Sequence, residues 1–184
     1  MLLPLALMAC AHSGAPETAA PAVTSRASPS LKERYAGTYV YAGGEAEKEA
    51  VSAAVDASVK GMGIASGFAK TALMERAVIR PSYTIAFDAK GDVEIETPGY
   101  PAEVSPSNGA EVKMTNKTGD ESQTSQHFAK GVLVQQGRTK DGQGETEFRL
   151  QPDGKTLLVK KVMESSQLPR SVVYTLTYVR QQGK

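Results

Sequence analysis

Three residues, Cys10, His12 and His127, carry the side chains most often used for nucleophilic, acid–base or metal chemistry. A nucleophile needs a base within hydrogen-bond reach, and a zinc site needs three or four ligands at a characteristic spacing. Cys10 and His12 lie close to the first residue, whereas His127 stands alone in a polar stretch and fits a surface position. The sequence therefore predicts no catalytic set, no metal site and no cofactor, and we expect the protein not to be an enzyme.

Two further patterns give no catalytic site. Gly61-Met62-Gly63 lacks the third glycine and the strand–helix context of a phosphate-binding loop, so it is interpreted as a turn between helices. Most acidic residues fall in predicted helices, hairpin turns or the solvent-facing positions of strands. Such carboxylates are hydrated and are not the pair with separated pKa values that acid–base catalysis requires.

Cys10 is the only cysteine and follows a nine-residue apolar start that ends Leu7-Met8-Ala9. This tetrad resembles the lipobox of bacterial lipoproteins, which implies a signal peptide over 1–9 and acylation of Cys10 by chains such as palmitate. The alternative is an ordinary free thiol. Two or three acyl chains anchor a protein stably, and nine residues are too few to span a bilayer, which takes about 20. The resemblance implies a lipid-anchored protein of the bacterial cell envelope. Ala11 after the cysteine, rather than Asp, favours the outer membrane, facing the periplasm.

The composition separates a tether from one domain. Residues after Cys10, up to about 33, are mostly Ala, Ser, Thr, Pro and Gly and lack the large apolar side chains that offset ordering entropy. The rest, 34–182, is long enough for one domain with a substantial core. Because 21 basic residues balance 20 acidic ones, no charged surface field favours nucleic acid as a partner.

The first part of the domain predicts one strand followed by two helices. Tyr35–Tyr41 is a β-prone run that stops at a pair of glycines. Glu45–Val59 is rich in alanine, with valines at fourfold spacing, and a second helical run follows from about Ile64 to Ala77. The pair, about 45–77, is dense in small residues, which suits a movable lid or close packing across a barrel mouth.

After Pro81 the pattern changes to alternation with a period of two, and turns that contain glycine separate the runs. Short intervals between turns favour antiparallel neighbours. A meander of eight to ten strands closes most simply as an up-and-down antiparallel β-barrel, with a two-sheet sandwich as the alternative. The predicted strands are 35–41, 82–88, 91–97, 110–115, 121–128, 131–138, 144–151, 155–164 and 171–180.

Three segments resemble the fatty-acid-binding-protein branch of the calycin superfamily. Ala36-Gly37-Thr38-Tyr39 is similar to that family's opening Gly-Thr-Trp strand, Val59–Ile64 to the segment that joins its two helices, and Ser171–Arg180 to its closing strand. There is a weaker similarity to the lipocalins. The resemblance implies a barrel lidded by the helix pair. It also implies a ligand carboxylate held by an Arg two residues before a Tyr on the last strand. Tyr178 matches that Tyr, but Leu176 occupies the Arg position.

The leading hypothesis is a membrane-anchored lipoprotein that binds an apolar small molecule, a lipid or fatty-acyl compound, inside the barrel. The alternative is an envelope protein–protein interaction or inhibitor module with a solid core and a protein partner. Alternating apolar residues can line a cavity or fill a core, and either interpretation fits. Leu73 is also expected to face the barrel. The predicted ligand-binding residues are Met62, Ile64, Phe68, Phe87, Phe148, Tyr174, Leu176 and Tyr178.

Overall fold

The computed structural model describes residues 29–115 and 121–182. Ten antiparallel strands form a single sheet that curls into a nearly closed barrel, with a helix pair after the first strand, as the alternation predicted. The helices are α1 (Leu31–Tyr35), α2 (Glu45–Val59) and α3 (Ser66–Arg76), and a short 3₁₀ helix (Gly63–Ala65) precedes α3. The strands are β1 (Gly37–Tyr41), β2 (Ser82–Phe87), β3 (Asp92–Glu96), β4 (Glu103–Pro106), β5 (Val112–Thr115), β6 (Glu121–Ala129), β7 (Val132–Thr139), β8 (Gly142–Leu150), β9 (Thr156–Glu164) and β10 (Val172–Arg180).

The sheet order is β4-β3-β2-β1-β10-β9-β8-β7-β6-β5, so the first and last strands pair with each other. Tyr41 lies opposite Tyr178 in that pairing. The two ends of the sheet, β4 and β5, form no ladder with each other among the described residues. Instead β4 lies beside β6, where the Gln126 side-chain amide donates to the carbonyl of Glu103 at 3.4 Å. The space between β4 and β5, the two edges of the otherwise continuous sheet, is here called the side gap.

One end of the barrel, here called the lower end, is closed by α1. The sequence interpretation placed Leu31–Glu33 in the tether and Tyr35 in a strand, and both assignments differ from the structure. A capping box stabilises the start of the helix. Ser30 Oγ accepts from the Glu33 N–H at 3.3 Å, and the Glu33 carboxylate accepts from the Ser30 N–H at 2.6 Å. Arg180 fastens the helix to β10 by donating to the carbonyls of Arg34 and Ala36. This arginine therefore has a structural partner at the lower end.

Tyr35 ties α1 to the barrel floor. Its hydroxyl lies 2.8 Å from the carbonyl of Gly131 and 3.0 Å from that of Phe148, and it accepts from the Leu150 N–H at 3.1 Å. Replacing Tyr35 by phenylalanine leaves these buried backbone groups unpaired, so we expect the free energy of unfolding to fall by about 1–3 kcal/mol.

Chemical denaturation of the two proteins measures this difference. Tyr41→Phe is the matched control, because the hydrogen bond of 3.3 Å that the Tyr41 hydroxyl donates to the carbonyl of Gly44 is long and exposed. A loss as large in the control as in Tyr35→Phe would contradict the role given to the floor contacts.

The lower half of the interior is a packed apolar layer. Strand register places five apolar side chains in one row across β10, β9, β8, β7 and β6. Most of them are fully buried, so this half is a core, and the core interpretation of these positions holds here. The row comprises Leu176, Val159, Phe148, Leu133 and Phe128.

The helix pair lies at the opposite, upper end, where β1 stops at Tyr41. Beyond that point no strand of the described residues pairs with β10 on this side, and α2 lies there instead. Glu47 in the first turn of α2 accepts from the Thr177 N–H at 3.0 Å and from the Thr177 hydroxyl at 2.6 Å. The fourfold spacing of Val51, Val55 and Val59 predicted the helix, and the structure buries all three side chains in the core.

Candidate functional site

A row of polar side chains crosses the barrel interior directly above the apolar layer. Strand pairing places Tyr174 opposite Lys161, Lys161 opposite Thr146, Thr146 opposite Gln135, and Gln135 opposite Gln126. Each belongs to the inward-facing set of its strand, two residues from a member of the apolar row. We call these five residues the polar belt.

Three groups from the other side of the barrel approach the polar belt. Glu103 begins β4, Tyr83 lies in β2, and Arg80 lies in the segment between α3 and β2. The Gln135 amide donates to the Glu103 carboxylate at 2.5 Å, which joins β7 to β4 across the side gap. The Lys161 Nζ lies 5.9 Å from the centroid of the Tyr83 ring. We call Arg80, Tyr83 and Glu103 the facing groups.

Several buried polar atoms of this region lack a hydrogen-bond partner among the described residues. Four belong to the polar belt and the facing groups: Arg80 Nη1, Tyr83 Oη, Gln126 Oε1 and Tyr174 Oη. A fifth, Ser105 Oγ, lies on the same face of β4 as Glu103. Leaving a buried polar atom unpaired costs about 1–3 kcal/mol, so native proteins rarely tolerate a cluster of them without a ligand or water. The cluster marks a place suited to a polar guest.

The region between the polar belt and the facing groups is here called the chamber. Burial is the main cause of the pKa shifts of its titratable side chains. Burial, with the positive charge of Arg80, lowers the pKa of Lys161 to about 8, although Glu103 opposes the change. Burial raises the pKa of Glu103, opposed by Lys161 and Arg80. Burial raises the pKa of Tyr174 to about 12 and that of Tyr83 well above its ordinary value. Two cationic side chains therefore share the chamber with one carboxyl group, which leaves an excess of positive charge for an anionic guest.

The lowered pKa of Lys161 predicts a pH dependence of stability. Between about pH 8 and pH 10 the folded state has released this proton while the unfolded state still binds it, so the free energy of unfolding rises with pH. Below pH 8 both states hold the proton and the contribution is constant. We expect wild type to gain stability relative to Lys161→Met across this window.

Urea denaturation of both proteins at several pH values tests this expectation. Lys160→Met is the control, because Lys160 points outward and forms an ion pair with Glu147 at 2.8 Å. A constant difference between wild type and Lys161→Met from pH 7 to pH 10 would contradict the burial of this amine.

The side gap contains a cleft. A cleft of about 360 Å³ opens between β4 and the upper ends of β5, β6 and β7. Glu103, Thr124 and Gly137 line it from the interior face, and Tyr100 and Met114 line it nearer the rim. The Tyr100 ring stacks on the Arg80 guanidinium, 3.4 Å from the ring centroid to Arg80 Cζ. Glu103, one of the facing groups, lines this cleft and accepts a hydrogen bond from Gln135 of the polar belt.

The structure distributes the predicted ligand-binding residues between two environments. Phe148, Leu176 and Tyr178 are fully buried in the lower half, and Phe87 stacks on Phe128 near α1 with a centroid distance of 6.0 Å. The Tyr178 hydroxyl donates to the carbonyl of Arg80 at 2.9 Å, so it has a protein partner. Tyr174 alone of these strand residues belongs to the polar belt.

The helix pair presents its predicted residues differently from the expectation. Leu73 is buried and Met62 packs against the core, but Ile64 is 95% exposed and Phe68 82% exposed. Gly61 and Gly63 both have positive φ, which turns the chain so that the 3₁₀ helix presents Ile64 to solvent. Phe68 follows one helical turn later on the same side. These two side chains do not face the barrel.

The sequence interpretation missed the polar belt although its signal was present. In β9, Lys161 alternates in step with Leu157, Val159 and Met163. A lysine therefore occupies a position on the inward face of the strand. Glu103 is likewise an exception to the expectation that acidic residues lie on solvent-facing positions. A polar residue at a strand position where the alternation expects an apolar one is the pattern that indicates a polar site in the interior.

Other predictions concern different parts of the chain. Cys10 and His12 lie outside the described residues. Within 29–115 and 121–182, no helix combines the length and apolar character needed to cross a bilayer, and no three His, Cys, Asp or Glu side chains cluster as metal ligands.

Comparison of the fold with solved structures gives several neighbours. An abundant heat soluble protein (SAHS) from Ramazzottius varieornatus matches with a TM-score of 0.54 and 13% identity, over 80% of this chain and 96% of that one. Lipid binding protein 8 of Caenorhabditis elegans matches with a TM-score of 0.51 and 12% identity, also over 80% and 96%. Fatty-acid-binding protein 1 of Echinococcus granulosus gives 0.49 and 14%, over 82% and 99%. No family model and no curated protein matches the sequence. At these identities the similarity shows the fold alone, a nearly closed antiparallel β-barrel with a helix pair after the first strand.

Proposed function

We propose that this protein binds an amphiphilic small molecule, a fatty acid or related lipid with an anionic head, in the upper half of the barrel, without catalysis. The head would lie on the polar belt and the acyl chain would run between the belt and the helix pair. The lipid binding named for one structural neighbour, lipid binding protein 8, supports an apolar guest. The anionic head is argued from this chain's own residues.

The observation that carries the proposal is the group of unpartnered donors around Lys161. The Tyr83 and Tyr174 hydroxyls and Arg80 Nη1 are buried and can all donate to a carboxylate. Hydrogen bonds to a charged group contribute about 1.5–3 kcal/mol each, more than those between neutral groups. A neutral alcohol of the same length would forgo the ionic part of this interaction.

Calorimetric titration of the full chain with dodecanoate and with dodecanol tests the proposal. We expect one site per chain and at least about tenfold tighter binding of dodecanoate at pH 7, which corresponds to one charged hydrogen bond. Equal affinity for the two compounds would exclude the anionic head, and no binding of either would exclude the lipid-binding function.

We further propose that Cys10 is acylated and holds the barrel on the envelope membrane, in the outer membrane facing the periplasm. The support is the Leu7-Met8-Ala9-Cys10 tetrad after an apolar start. Growth of the host with a labelled fatty acid is expected to label the wild type and not Cys10→Ser. Equal labelling of both proteins would contradict acylation at this residue.

A second role, docking of an envelope protein, is favoured by the exposed pair Ile64 and Phe68. Large apolar side chains that lie together on a surface mark interaction sites. In-cell crosslinking that yields one stoichiometric partner, lost in Phe68→Ser, would support this role. An unchanged crosslinking pattern in Phe68→Ser would count against it.

A further inference from the structure

Two glycines lie side by side in the row of residues directly above the polar belt. Strand pairing places Thr124 opposite Gly137, Gly137 opposite Gly144, Gly144 opposite Met163, and Met163 opposite Val172. Each member of this row lies two residues from a member of the polar belt on the same strand, so it also faces the barrel interior. Gly137 in β7 and Gly144 in β8, here called the glycine pair, therefore leave two adjacent inward positions without a side chain.

The backbone does not require glycine at either position. Neither residue of the glycine pair has a positive φ, so other residues can adopt the same conformation. Apart from its chain neighbours, a Cβ on Gly137 would meet no heavy atom of the described residues within 4 Å. A Cβ on Gly144 would meet, among the same residues, only the Val162 carbonyl oxygen at an ordinary contact distance of 3.5 Å. A glycine inside a strand weakens it and often marks a place where a ligand approaches the backbone closely. The glycine pair therefore borders open space of the kind that a guest fills.

Gly137 also lines the cleft of about 360 Å³ in the side gap, between β4 and the upper ends of β5, β6 and β7. A volume of this size falls within the usual range of small-molecule pockets, about 300–1,000 Å³. Thr139, the next inward residue of β7, lines the cleft beyond Gly137, and Met114 and the Tyr100 ring give it apolar surface nearer the rim. Along β7, Gly137 therefore lies between Gln135 of the polar belt and the outer part of the cleft.

We propose that the hydrocarbon chain of the guest passes over the glycine pair and ends in the cleft of the side gap, which makes Gly137 and Gly144 specificity-determining residues. This inference rests on the proposed function and adds the path of the chain, since a head group on the polar belt leaves the row above it for the first carbons. Methylene groups then pack directly on the strand backbone where the glycines lack side chains. Contact of the chain end with Met114 and the Tyr100 ring removes apolar surface from water, which favours binding.

Photolabelling of the unchanged protein locates the end of the chain. The full chain is bound to dodecanoate that carries a diazirine near its methyl end, irradiated, and digested for peptide mapping. We expect the label on residues that line the cleft, above all Met114 and Thr139. A label found elsewhere, such as on Leu73 of the helix pair or on Leu133 of the apolar row, would overturn the proposed path.

Filling the space above Gly137 gives a second test. Gly137→Leu is expected to weaken dodecanoate binding by at least about tenfold in calorimetric titration, because the leucine side chain occupies the place of the first methylene groups. Gln136→Leu is the matched control, since it adds the same side chain to the neighbouring, exposed position of β7, and it should bind as wild type does. Equal affinity of Gly137→Leu and wild type, or equal losses in both variants, would overturn the proposal.

The stability of Gly137→Leu completes this test. Since a Cβ at this position meets open space, we expect the variant to unfold at the same urea concentration as wild type or at a higher one. A lower midpoint would assign the glycine to the curvature of the sheet instead of to the guest.

The outcomes separate this inference from the proposed function. If wild type prefers dodecanoate to dodecanol but the label lies outside the cleft, only the path of the chain fails. If wild type binds neither compound, the lipid-binding function fails and the path of the chain fails with it.

Discussion

Replacing Phe148 by alanine is expected to lower the free energy of unfolding by about 3–5 kcal/mol. Phe148 is fully buried in the middle of the apolar row, between Val159 and Leu133 on the adjacent strands. Its ring packs edge-on against Tyr83 at a centroid distance of 5.2 Å. Truncation therefore removes buried apolar surface and leaves a cavity that the surrounding strands can fill only in part.

Denaturation in urea, with the slope and midpoint fitted together, measures the loss. Phe68→Ala is the matched control, because it makes the same chemical change at a side chain that is 82% exposed. We expect the control to change stability by no more than about 0.5 kcal/mol. Similar losses for the two variants would mean that the lower half of the barrel is not the solid core described above.

Replacing Lys161 by methionine is expected to weaken dodecanoate binding by about 10- to 100-fold at pH 7, because one charged hydrogen bond contributes about 1.5–3 kcal/mol. Methionine keeps an unbranched side chain, one atom shorter, and removes the charge and the donors. Lys160→Met is the control and should bind as wild type does, since Lys160 lies on the outer face. Equal losses in the two variants would indicate a general effect of net charge.

The same variant predicts how binding depends on pH. The carboxylate prefers the ammonium form of Lys161, so wild-type affinity should fall as pH rises through and above about 8, where the amine loses its proton. Lys161→Met should show no change in that window. Titrations at pH 7, 8, 9 and 10 provide the measurement. A wild-type affinity that stays constant over this range would show that the head group does not bind at Lys161.

Hairpins were predictable because each combines period-two alternation with a glycine turn. The pattern predicted strands at 144–151 and 155–164, and the structure has β8 at Gly142–Leu150 and β9 at Thr156–Glu164. The strand β4 (Glu103–Pro106) was not predicted. It is four residues long, it lies in a stretch with three prolines, and its inward side chains are Glu103 and Ser105 rather than apolar residues. A strand whose inward side chains are polar does not show the usual pattern of apolar residues on the interior face, so alternation cannot reveal it.

Helix α1 was missed for a different reason. Tyr35 belongs to a continuous β-prone run with Tyr39 and Tyr41, and helices as short as α1 have little periodicity to detect. The Ser30-x-x-Glu33 capping box was the available local signal. The contacts of Tyr35 with Gly131 and Phe148 are set by the tertiary fold, so no local pattern contains them.

The candidate site illustrates the same limit. Alternation assigns Lys161 to the inner face of its strand, but only the pairing of β9 with β8 and β10 brings it level with Thr146 and Tyr174. The contribution of Arg80 depends on the path of a loop, and that of Glu103 on an unpredicted strand. The sequence predicted a barrel with a helix pair, and the structure added the polar belt that crosses it.

The pairing of β1 with β10 has a consequence for biosynthesis. Tyr41 and Tyr178, which lie opposite each other in this ladder, are separated by nearly the whole domain, so a ribosome releases the first strand on the order of ten seconds before the last. During that interval the earlier hairpins can form, but the sheet still lacks its last strand, β10. The ring therefore closes only after translation of the domain is complete, and premature termination anywhere before β10 would leave an unclosed sheet with an exposed edge.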